Sequence, residues 1–132
     1  MIILGEIRTL IEELNATAGN NDLARKIYIG DKLATYNWNL AEEVGNVYGE
    51  ANDLEYDYKT SLVREINKGT GSQSLKESLA KEKLESLYKA MVSKQNLLKR
   101  LQLLHSQTNI VIEQNRQNCA YLRVEFRQTG NG

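Results

Sequence analysis

Two long runs of apolar residues, each stepping alternately three and four positions, constrain this chain more than any other feature. In the first, Leu33, Asn37, Leu40, Val44, Val47, Ala51, Leu54 and Tyr58 share one helical stripe, a heptad seam held for roughly four repeats. Leu62 and Ile66 extend it with a small shift of phase. In the second, Leu84, Leu87, Met91, Lys94, Leu98 and Leu101 lead into His105, Thr108, Ile112, Asn115, Cys119, Leu122 and Phe126. Leu97, Leu104 and Val111 widen that stripe in its middle, as suits a helix touching more than one neighbour. The chain holds no proline, so nothing in it forbids long unbroken backbone ladders.

The spacing predicts an all-α fold over a single domain, 1–132. A short amphipathic helix over 1–15 presents Ile3, Ile7, Leu10, Ile11 and Leu14 on one face. It ends in the small-polar stretch 15–21, where Gly19 suits a C-cap. Asn21 or Asp22 caps a first long helix over 22–67. A Gly-rich loop follows over 68–74, with Ser74 and Glu77 as a capping box. The second long helix covers 75–126, with a tail over 127–132. The spacing leaves open whether that helix is continuous or breaks near Thr108 and Asn109. A short loop between two long seams predicts an antiparallel, coiled-coil-like helical hairpin with the N-terminal helix packed on it.

Charge is balanced overall but not along the chain. Of 132 residues, 17 are basic and 17 acidic, which gives no long-range pull toward nucleic acid. Residues 22–66 hold five bases and nine acids, whereas 67–132 hold eleven bases and five acids. Folding about the loop brings residue i near residue 141 − i. This register sets Glu42, Glu43, Glu50, Asp53, Glu55 and Asp57 beside Lys83, Lys89, Lys94, Lys99 and Arg100, and so predicts pairing inside the hairpin. It also sets Asn37 near Leu104 and His105.

Catalytic chemistry finds no constellation. His105 and Cys119 are fourteen residues apart, about 21 Å along one helix, too far to share a metal or a proton. The run from Asp53 to Asp57 opens like a calcium loop but has Tyr58 and Arg64 where Gly and Glu are required. Gly69-Thr70-Gly71-Ser72 precedes a helix but lacks the Lys-Ser/Thr ending of a phosphate loop. The expectation is a non-enzyme with no metal and no cofactor. One cysteine and no apolar run of membrane-spanning length point to a reducing cytoplasmic setting and no membrane partner.

Two surfaces remain. Ala41, Gly45 and Gly49 form a small-residue stripe, the candidate oligomer or partner interface, since glycines inside a helix cost stability that close packing would offset. At the open end of the hairpin, Arg25, Lys26, Lys32, Arg116, Arg123 and Arg127 gather with Tyr28 and Tyr121. Cations interleaved with aromatics suit phosphate neutralisation and base stacking on a single strand. The aromatic-bearing first long helix (Tyr36, Trp38, Tyr48), the polar break at 67–73 and the long second helix resemble the layout of the UvsY-type recombination mediators of bacteriophages. The resemblance, over about residues 30–126, implies a ring-like homo-oligomer that binds single-stranded DNA and helps a recombinase partner. The alternative is a protein-only binder, such as a phage-encoded inhibitor of a host or defence enzyme, using the acidic ridge, or a structural virion component.

Overall fold

The computed structural model describes residues 2–16 and 22–130, and these residues form four helices and no strand. They are α1 (Ile2–Ala16), α2 (Leu23–Lys68), α3 (Gln73–Lys83) and α4 (Glu85–Gly130). The fold is an all-α helical hairpin, α2 against α4, with a short N-terminal helix. Asn21, Gly19 and the rest of 17–21 lie outside the described residues, as do Asn131, Gly132 and the side chains of Phe126 and Thr129.

Local chemistry sets the helix ends. The Arg25 N–H donates to Asp22 Oδ1 at 3.1 Å, which caps α2 as expected. The capping box is different. Ser72, not Ser74, is the N-cap of α3; its backbone is extended and its Oγ accepts from the Leu75 N–H at 3.2 Å. Gly71 at φ 99° delivers the chain into that cap, a conformation glycine adopts without steric cost. The second long helix is also two helices. It runs unbroken through Thr108 and Asn109 but is interrupted at Leu84, where φ is −99° and ψ 15°. The interruption is one residue wide: Leu84 N–H still donates to Ala80 O at 3.0 Å, and Tyr88 N–H to Leu84 O at 2.9 Å. The expected tail from 127 instead continues α4 to Gly130.

The chain divides into two compact units, Met1–Glu42 with Gln102–Gly132, and Glu43–Leu101. The first is a three-helix unit. Ile7 of α1, Ile29, Leu33 and Leu40 of α2, and Ile112, Cys119 and Leu122 of α4 are its buried apolar core, each large aliphatic contributing about 1.5–3 kcal/mol. It also buries Lys26, Asn37, Thr108 and Asn115. Asn115 Nδ2 donates to Lys26 O at 2.9 Å, and Asn37 Nδ2 to Asn109 Oδ1 at 2.7 Å. The second unit buries Val47, Ala51, Ala80, Met91 and Leu101 and leaves Leu54, Leu62, Leu87 and Leu98 half-buried. Tyr58 and Tyr88 meet across it with their rings tilted and their centroids 5.4 Å apart.

Candidate binding surfaces

The predicted basic end is largely taken apart by its own neighbours. Arg25 is engaged by Glu13 of α1, its Nε donating to Oε1 at 2.7 Å, and its guanidinium lies 4.8 Å from the Tyr28 ring. Lys32 Nζ lies 5.8 Å from the same ring. Lys26 does not join them: it is 2% exposed and occupies a core position one step before Ile29. Arg116 pairs with Glu113 on its own helix at 2.6 Å. Arg116 and Arg123 share a groove of about 380 Å³ with Ile27, Gly30 and Asp31. Arg127 is exposed in the last turn of α4. Tyr121 is 67% exposed, but it stands two residues from Arg123 on one helix and so does not share a face with it.

The small-residue stripe is bare. Ala41, Gly45 and Gly49 are exposed, and no atom lies within 4 Å of where a Cβ on either glycine would sit. Gly30, which the spacing did not single out, is the tight one: its Cβ would stand 2.6 Å from Asn115 Nδ2.

Pairing of the acidic run is partial. Lys94 of α4 meets Glu50 of α2 at 2.7 Å, and Lys83 of α3 meets Glu65 of α2 at 2.9 Å. The Lys83 ammonium holds the Glu65 carboxyl below its ordinary pKa. Lys89 and Lys59 instead take Glu85 and Glu55 of their own helices, the i,i+4 spacing that makes side chains neighbours on a helix surface. Asp53 and Asp57 are exposed and make no ion pair among the described residues.

Two grooves in the three-helix unit were not legible from residue type. One, about 470 Å³, lies between α1 and α2 over Gly5, Glu6, Thr9, Tyr28 and Tyr36. There the hydrogen bond to Glu6 raises the Tyr36 pKa, and burial adds to it. The other, about 280 Å³, is walled by Trp38 and Ala41 of α2 and by His105, Asn109 and Arg116 of α4. Its floor includes Asn37, whose Oδ1 is buried without a hydrogen-bond partner. Asn37 reaches the His105 backbone carbonyl, at 3.4 Å, rather than the imidazole.

Among the described residues no cluster of three His, Cys, Asp or Glu side chains could hold a metal ion, and no helix is long and apolar enough to cross a membrane. No protein-family model, curated protein or solved structure matches the chain.

Proposed function

We propose that this chain is a non-catalytic accessory protein that works through protein surfaces rather than by holding a nucleic-acid strand. The observation that carries this reading is the fate of the basic cluster. Of its six cations, Lys26 is in the core and Arg25 and Arg116 are ion-paired, while Lys32 stands over Tyr28. Each neutralised cation removes one phosphate contact from a strand-binding site. What the surface offers in exchange is uncovered apolar and aromatic side chains, among them Trp38, Tyr56, Leu103, Ile110 and Tyr121, the residue types that anchor protein interfaces. The unpaired Asp53 and Asp57 add an acidic element that favours a basic partner surface.

A strand-binding mediator is the second reading, favoured by Arg116 and Arg123 facing one groove. Sedimentation velocity with a labelled single-stranded oligonucleotide, at low and at high salt, separates the two. The protein-surface reading expects the strand to be left behind at both salts. Co-sedimentation that is released as salt rises would overturn it and support the mediator.

A further inference from the structure

In the three-helix unit, α4 turns a second seam outward. Leu103, Ile110, Tyr121 and Val124 are each more than half exposed. Gln107, Gln114, Gln117 and Gln128 lie between and beyond them and are exposed too. Taken together these positions step four and three from 103 to 128, the period of a coiled-coil seam. At about 100° per residue, the stripe lies opposite the buried one that runs through Thr108, Ile112, Asn115 and Cys119. Four of the seven glutamines in the chain fall on it, and no charged residue does. In a chain that is 26% charged, these eight successive seam positions carry no charge, and half of them are apolar or aromatic. Of the charges of this stretch, Glu113, Arg116, Arg123 and Arg127 lie off the stripe, and Glu125 stands at its edge.

We propose that this stripe seats a second copy of the chain, the two α4 helices lying parallel and in register. In such a seam every layer sets a residue against its own copy, so a single Lys or Glu would face a like charge. This stripe has none. A glutamine amide carries donors and an acceptor at once, so it can satisfy its own copy. The Leu103, Ile110 and Val124 layers bury aliphatic surface, and the polar layers between them hold the register. The seam extends over about 39 Å of helix. A phosphate backbone finds no cation there. The inference rests on the protein-surface reading above and names the partner for this face.

Sedimentation equilibrium of the full chain tests it. A dimer is expected, and Ile110→Lys with Gln117→Lys should weaken it by about a hundredfold through facing like charges. Gln102→Lys, exposed but off the stripe, should leave it unchanged, and circular dichroism checks that each variant keeps its helix content. Val124→Cys should form an intermolecular disulfide under mild oxidation; in an antiparallel pair centred on the stripe the two sulfurs stand too far apart. The native Cys119 is buried and stays silent. A chain monomeric at all concentrations, a dimer indifferent to Ile110→Lys, or no cross-link at Val124→Cys each overturns the proposal. Such a failure, with the oligonucleotide still left behind, leaves the protein-surface reading standing; co-sedimentation with the strand sinks that reading instead.

Discussion

The same two seams run through both units, yet they are packed to different depths. In the three-helix unit α1 covers what a hairpin alone leaves open, and the seam positions Leu33 and Leu40, with Ile29 one turn before them, reach full burial. In the unit of residues 43–101 the corresponding leucines, Leu54, Leu62, Leu87 and Leu98, stay half-buried. The polar chemistry follows the same division. Every buried polar side chain among the described residues (Lys26, Asn37, Thr108 and Asn115) belongs to the three-helix unit. There amide–amide and amide–carbonyl bonds join α2 to α4, with an exposed ion pair between α1 and α2. In the other unit the bonds between helices are exposed ion pairs. A third helix excludes water well enough that polar groups must find protein partners; two helices leave them to solvent and salt.

Core truncation should break the comparison most visibly. Leu33→Ala is expected to cost about 2–5 kcal/mol, against roughly 1 kcal/mol for Leu87→Ala, because a half-buried site loses less transfer energy and collapses more readily. Urea unfolding of the two variants measures the contrast; equal losses would mean that the units are equally packed.

Glycine substitutions sharpen it with opposite signs. Gly30→Ala should destabilise by about 1–3 kcal/mol, since its Cβ would displace the Asn115 amide and leave both that amide and the Lys26 carbonyl without their bond. Adding Asn115→Ala should recover part of the loss, so the pair is less damaging than the sum. Gly45→Ala and Gly49→Ala, with open space around them, should each stabilise by about 0.5–1 kcal/mol. Thermal melts read both signs in one series.

The smallest effect concerns the ion pairs. The folded pKa of Glu65 is depressed by Lys83, so its contribution is present above the unfolded carboxylate value and is lost as pH falls through the lower folded one. Glu65→Gln should therefore flatten the acid limb of the stability–pH curve slightly. An acid limb that stays unchanged would mean that this pair contributes nothing.

Most of the fold was legible because periodicity encodes it. The seam positions from Leu33 to Ala51 and from Met91 to Leu122 that reach full burial are those the three-four spacing selects, and Asp22 caps where an N-cap residue should. Lys26 was misread because its charge argues for solvent, although it continues the spacing of Ile29 and Leu33. Its long aliphatic stem is what lets it fill a core position. The interruption at Leu84 left no mark in the sequence, since leucine is a strong helix former and tertiary packing, not propensity, sets such junctions. The candidate surfaces were read least well. Residue type located the cations and the glycines, but only the partners Glu13 and Glu113 and the empty space beside Gly45 and Gly49 show how each is used.

Cys119, 5% exposed and the only cysteine in the chain, gives the three-helix unit a clock of its own. The residue borders the groove beside Arg116 and Arg123 with little of its surface open, so alkylation is slow in the closed unit and speeds as α4 lifts from its neighbours. Dilution and salt, which act on assembly and on exposed charge pairs, can then be timed against the same thiol in the unaltered protein.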